Sequence, residues 1–200
     1  MTAFIYLASQ SPRRSQLLDQ IGVAHTLLLP TPDEDAESLE VVHRGETPLH
    51  YVQRVTALKL DAAVARMKAR GLTLAPVLCA DTTVALGRDI LGKPSDALDA
   101  VRMLQALSGQ THRVLTAVAL QSGRQRLAAV SVSRVSFARM SPAQIKAYVD
   151  SGEPMGKAGA YGVQGQAAAH IARIHGSYSG IMGLPVFETA ELLRQVGVAC

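Results

Sequence analysis

Along this chain the spacing of apolar residues switches repeatedly between runs, alternation and helical period, and those switches mark the elements. Residues 3–8 read as a strand, and Pro12–Gln20 as a helix. Ser11 suits its N-cap, Pro12 its first position, and Gly22 closes it. Val23–Leu29 is a second strand. An acidic, proline-containing loop follows, Pro30-Thr31-Pro32-Asp33-Glu34-Asp35, and runs on polar to about Glu46. Thr47-Pro48 opens a long helix with Tyr51, Val52, Val55, Leu58, Ala62 and Val64 broadly on one side, and Gly71 stops it.

Pro76–Leu86 begins so apolar (Val77, Leu78, Cys79, Ala80) that it belongs in the middle of a sheet, covered on both faces. Ser95 caps a helix to about Leu107. Two β-rich stretches, 111–121 and 126–138, meet at Gln121-Ser122-Gly123-Arg124 as a hairpin. Ser141-Pro142 starts a helix to about Asp150, a glycine-rich loop follows, residues 169–175 are strand-like, and a last helix spans about 184–195. Strand–helix alternation of this kind predicts an α/β fold with a mixed central sheet and helices on both sides. With no repeat, linker or composition break, residues 1–200 read as a single domain.

Composition narrows the partners. Hydrophobic residues make up 48% and charged residues 18% of the 200, ordinary for a folded soluble protein, and the net charge of +4 is compatible with an anionic ligand. No basic run is interleaved with aromatics, which argues against nucleic-acid binding. No run approaches the ~18 apolar residues of a membrane span, and no signal peptide is visible, so a cytoplasmic protein is expected. The two cysteines form no disulfide framework, and the six histidines show no zinc spacing with them.

Four clusters carry candidate chemistry. Ser9-Gln10-Ser11-Pro12-Arg13-Arg14 joins a strand end to a helix start, whose free N–H groups favour an anion. Its two arginines have the wrong sign for that helix end unless an anion visits. Asp81, directly after a buried apolar run, is costly unless paired, metal-bound or open to a cleft. Lys93 follows Gly92 in a turn. Gly156 to Gly165 is a loop of small residues that lets backbone approach a ligand, with Gln164 carrying one acceptor and two donors. Neither a Walker loop nor Gly-x-Gly-x-x-Gly occurs, and Ser11 lies on no nucleophile elbow.

Taken in order, six segments resemble the Maf family, nucleoside triphosphate pyrophosphatases once described as septum formation inhibitors. They are Leu7-Ala8-Ser9-Gln10-Ser11-Pro12-Arg13-Arg14, Ala80-Asp81-Thr82, Gly92-Lys93-Pro94, Ser108-Gly109-Gln110-Thr111-His112, Lys157 to Gly165, and Gly183-Leu184-Pro185. The resemblance implies two lobes around a deep cleft, like the inosine triphosphate pyrophosphatases, and metal-dependent cleavage of a nucleoside triphosphate to monophosphate and pyrophosphate. It makes Asp81 the proton acceptor, and Ser9, Arg13, Arg14 and Lys93 the phosphate contacts, with Lys93 in the catalytic set. Glu34, with Asp81, would hold the divalent metal, magnesium or manganese. Lys59 would reach the cleft from the long helix, and Arg13, Thr82 and Gln164 would bear on the base. A homodimer is implied by the resemblance alone.

The family's Asp-Lys-Ala-Gly is Gly156-Lys157-Ala158-Gly159 in this chain, which removes a carboxylate beside the lysine. Gln164 with Ala160-Tyr161 resembles the branch acting on dTTP and UTP. The alternatives are the branch acting on 7-methyl-GTP, which carries an acidic residue at that position, and a non-catalytic nucleotide-binding regulator of cell division.

Overall fold

The longest apolar run does become the middle of the sheet. In the computed structural model, which describes residues 4–31, 34 and 38–200, strands β1 (Ile5–Leu7), β2 (His25–Leu27), β3 (Val77–Leu86), β4 (Asp89–Leu91), β5 (Thr111–Ser122), β6 (Gln125–Phe137) and β7 (Ile171–His175) form one sheet. Its order is β2-β1-β3-β5-β6-β7, with β4 also on β3. β1 runs parallel to β2 and β3, and the other pairings are antiparallel, so the sheet is mixed as expected. The hairpin closes at Ser122↔Gln125.

The period-two alternation of β3 divides the helices between the two faces. Val77 and Cys79 pack on Leu60, Ala63 and Met67 of α2 (Pro48–Ala69). Leu78 and Ala80 pack instead with α1 (Pro12–Gln20) and α6 (Val186–Gln195), through Leu17, Leu18, Leu192 and Leu193. Farther along that second face, Val114, Val135 and Phe137 meet α3 (Ala97–Leu107) and α4 (Pro142–Asp150). Helices therefore lie on both sides. No helix among the described residues is long and apolar enough to cross a membrane.

Local chemistry departs from expectation in several places. Ser11 occupies the N-cap of α1 but makes no capping hydrogen bond; its own N–H donates to Ser9 Oγ at 3.1 Å. Asp96, not Ser95, caps α3, accepting from the Asp99 N–H at 2.8 Å. β2 keeps only three residues, and β4 was not visible in the sequence because a three-residue strand has too few positions to show alternation. The last helical stretch is preceded by a separate short helix, α5 (Tyr178–Met182), which ends at Gly183 (φ 120°) before Pro185. Of the acidic loop, Pro32, Asp33 and Asp35 lie outside the described residues.

Candidate active site

β3 outruns its neighbour on one side. β1 pairs with it only as far as Leu78, and β4 takes up the same edge only from Val84, leaving residues 79–83 without a strand partner there. The cleft, with a volume of about 570 Å³, opens over this gap, at the carboxyl end of β1 where open α/β sheets bind ligands. Alternation then sends consecutive side chains to different partners. Asp81 points to the α2 side with Cys79, and Thr82 to the α1 side with Ala80.

On the α2 side the partner is Lys59. It follows Val55 and precedes Ala63 at four-residue spacing, so a lysine stands on the buried stripe of the helix. Lys59 Nζ donates to Asp81 Oδ1 at 2.6 Å and to Glu40 Oε1 at 2.7 Å, and Lys93 Nζ reaches Glu40 Oε2 at 3.0 Å. Burial disfavours the Lys59 ammonium, but Asp81 and Glu40 outweigh it and leave its pKa raised. Burial likewise works against the Glu40 carboxylate, yet Lys59 and Lys93 hold its pKa below the ordinary range. The buried Asp81 carboxylate is tolerated because it is paired within this partly exposed charge cluster.

Glu40 was missed in the sequence, and Glu34, expected beside Asp81, sits elsewhere. Its carboxylate is gripped by the Arg66 guanidinium, with Nη2–Oε2 at 2.5 Å, while Arg70 lies 3.8 Å away. Arg66 and Thr31 hold the Glu34 pKa at about 2. Glu34 does not line the cleft, whereas Glu40 does. Glu40 ends a short 3-10 turn, Ser38–Glu40, whose carbonyl accepts from the Tyr51 hydroxyl at 2.9 Å, and Arg54 Nη2 donates to the next carbonyl, that of Val41, at 2.8 Å. The acidic loop offers several carboxylates with no spacing to choose among them. The available signal was Lys59 itself, a lysine on a buried stripe that needs more than one counter-charge.

On the α1 side, the two arginines that oppose their own helix end turn away from it. Arg14 Nε donates to Gly183 O at 2.7 Å, Nη1 to Ser9 Oγ at 3.0 Å and Nη2 to Thr82 Oγ1 at 3.4 Å. Arg13 Nε donates to Met182 O at 3.2 Å. Both thus meet carbonyls left without helical partners at the end of α5. Burial lowers the pKa of each from the ordinary arginine value. Thr116 Oγ1 donates to Gly180 O at 2.7 Å and locks α5 to the sheet.

The glycine-rich loop forms the facing wall. Lys157 lines the cleft, and its ammonium donates to the Glu153 carbonyl, a neutral substitute for the missing neighbouring carboxylate. Burial, then Arg13, lowers the Lys157 pKa. Gly159 (φ 68°) sits against β3, where a Cβ would lie 2.8 Å from Val84, and its N–H donates to Gly92 O at 3.0 Å, tying the loop to the Lys93 turn. Gln164 is exposed and does not line the cleft. The structure thus gathers Ser9, Arg13, Arg14, Lys59, Asp81, Thr82 and Lys93, adds Glu40 and Lys157, and leaves Glu34 and Gln164 outside.

Beneath this wall lies His112, 1% exposed. Burial lowers its pKa from 6.5 to about 4. The unfolded chain takes up this proton near pH 6.5, whereas the folded one resists until about 4. Stability present above pH 6.5 is therefore lost as pH falls toward 4, by up to about 3 kcal/mol. Urea midpoints at pH 7.5 and 4.5 should fall further in the wild type than in His112→Gln; equal losses would refute the effect.

Asp81 and Glu40 converge on one point of positive charge and supply the hard oxygen donors that magnesium or manganese prefers. Among the described residues no group of three or more His, Cys, Asp or Glu gathers as a metal set. Two carboxylates, completed by phosphate oxygens and water, suit a small divalent cation that travels with its substrate. Six cationic and two acidic side chains line the cleft, and even with Arg66 balanced by Glu34 the lining keeps an excess of positive charge that suits a polyanion.

The family profile described as Maf-like protein matches residues 4–196. A dTTP/UTP pyrophosphatase of Polaromonas sp. is 66% identical, covering 98% of this chain and 96% of that protein. That of Albidiferax ferrireducens is also 66% identical over 98% of each, and that of Cupriavidus pinatubonensis 63% over 98% of each. The solved structure of the Staphylococcus aureus Ham1 protein is similar at a TM-score of 0.45 and 15% identity, covering 67% of this chain and 71% of that one, too slight a likeness to build on.

Proposed function

Since the chain belongs to the Maf family, we propose that it hydrolyses dTTP and UTP to the monophosphate and pyrophosphate, one nucleotide-binding unit working in the cytoplasm. The observation that carries this reading is the placement of Asp81: a carboxylate paired with Lys59, at the floor of a cleft otherwise rich in cations. The names of the relatives at 58–66% identity support the choice of nucleotide.

In this reading Arg13, Arg14, Lys93 and Lys157 receive the polyphosphate and neutralise charge that grows as the bond breaks. Asp81 takes a proton from the attacking water, whose oxygen bonds to the α-phosphorus as the bridge to the β-phosphate breaks. Pyrophosphate leaves on the far side with the bridging oxygen. Lys59, bonded to both carboxylates, holds Asp81 in place and keeps Glu40 beside it. A divalent cation held by Asp81 and Glu40 would polarise the phosphoryl oxygens. Positioning by fixed arginines accounts for much of the expected rate, because the reactants arrive already oriented.

Incubation of the pure protein with a nucleotide panel and magnesium, followed by product identification, tests the reading. Pyrophosphate with TMP or UMP is the expected pair. Orthophosphate with a diphosphate would overturn the bond assignment. Preferential cleavage of 7-methyl-GTP would overturn the base assignment, and tight binding without turnover would point to a regulator.

A further inference from the structure

Two buried tyrosines hold the loop from Glu153 to Gln166. On one side the Tyr148 hydroxyl, from α4, donates to Glu153 Oε1 at 2.9 Å and accepts from the Gly162 N–H at 3.4 Å, while Glu153 Oε2 accepts from the Gln166 N–H at 3.0 Å. On the other side the chain turns through two successive left-handed residues, Gly159 (φ 68°) and Ala160 (φ 60°). The second is unusual for a residue with a Cβ and marks a conformation imposed by its surroundings. That turn drops the Tyr161 ring edge-on against Phe137 and His112, with centroids 4.9 and 5.4 Å away, while Tyr161 still lines the cleft.

His112 is the unexplained member of this trio. Its Nε2 lies 2.8 Å from the Tyr161 hydroxyl, and each is the other's hydrogen-bond partner among the described residues. Its Nδ1 is buried with no hydrogen-bond partner among the described residues. An ionisable ring with an orphaned nitrogen is an expensive way to fill apolar space, and phenylalanine would fill it without that cost. What the imidazole adds is a single directional bond to the cleft loop.

We propose that His112, reaching up from β5, is a positioning residue that holds the Tyr161 hydroxyl and so sets the angle at which the Lys157 wall of the cleft meets the nucleotide. The inference rests on the nucleotide reading of the cleft. Through the Gly159–Gly92 hydrogen bond the same brace extends to the Lys93 turn.

The test compares His112→Phe, Tyr161→Phe, the double variant and His112→Gln, reading kcat and KM for dTTP, thermal stability, and amide exchange over residues 157–166. Each single loss should raise KM and speed loop exchange about tenfold while kcat stays within about twofold. His112→Gln, which still offers an acceptor, should recover most of both. The double variant leaves no polar group unpaired, so its stability should return toward wild type while KM stays raised and exchange stays fast. A KM that recovers together with stability would reduce His112 to packing and overturn the proposal. So would single effects that multiply in the double variant. If the wild type cleaves no nucleotide, the pyrophosphatase reading fails, and loop exchange alone still decides whether the brace exists.

Discussion

Asp81→Asn should lower turnover of dTTP by about 10³-fold or more while leaving nucleotide affinity within a few-fold of wild type, the pattern for loss of a general base. The substitution keeps the shape of the side chain and removes its charge and proton affinity, and with them one of the two carboxylates proposed to hold the metal. Arg13, Arg14, Lys93 and Lys157 remain to hold the polyphosphate, so binding survives. The fold survives as well, because Lys59 keeps Glu40 as a partner at 2.7 Å when Asp81 no longer balances it. Losing one negative charge from a cationic cleft also strengthens attraction for the triphosphate, which separates this variant from one that is merely damaged. Pyrophosphate release under steady-state conditions, set beside calorimetric affinity for a non-hydrolysable analogue, reads both quantities. Rates close to wild type would remove Asp81 from the chemistry, and equal losses of rate and affinity would make it a structural residue.

The second large effect distinguishes two glutamates of the same loop. Glu40→Gln should lower kcat/KM about 100-fold and demand more manganese for half-maximal activity, because it removes one of two carboxylates facing the incoming phosphates. Glu34→Gln should leave turnover within a few-fold and show itself in stability, through the lost grip on Arg66. The pH dependence follows the same division. The Glu34 carboxylate, held at about 2 in the folded state, stabilises the protein above its ordinary pKa of 4.5, and that contribution is lost as the pH falls through 4.5 toward 2. Manganese titrations of both variants, with urea midpoints at pH 6 and 3, separate the roles. A raised manganese requirement in Glu34→Gln but not in Glu40→Gln would reverse the assignment.

The different placement of these two glutamates shows where sequence reading stops. Asp81 was legible because a carboxylate inside an apolar run is locally anomalous, whatever surrounds it. The hairpin at Ser122-Gly123 and the long helix from Pro48 were legible for a similar reason, since turn chemistry and period are properties of neighbours along the chain. Glu34 and Glu40 look alike at that range. What parts them is a difference in partners, Arg66 for one and Lys59 with Lys93 for the other, and all three belong to elements that folding alone brings near. Arg13 and Arg14 were legible as an anomaly but not as a solution, because the carbonyls that receive them belong to α5, about 170 residues later. Lys59 entered by resemblance, although its position between Val55 and Ala63 on a buried stripe carries a physical signal of its own. The placement of Gln164 outside the cleft was not legible, because a loop residue's identity says nothing of the angle at which its loop is held.

The strand-free stretch on the edge of β3, between the end of β1 at Leu78 and the start of β4 at Val84, has a consequence for how such a site changes over time. Room for the substrate there is a matter of how many residues two short strands contain, not of which side chains line the walls. Lengthening the two short strands until together they pair positions 79–83 would zip that edge shut and bury Asp81 under main chain, even with every cleft residue in place. Drift in wall residues retunes which nucleotide fits. Drift in strand length decides whether any nucleotide enters at all.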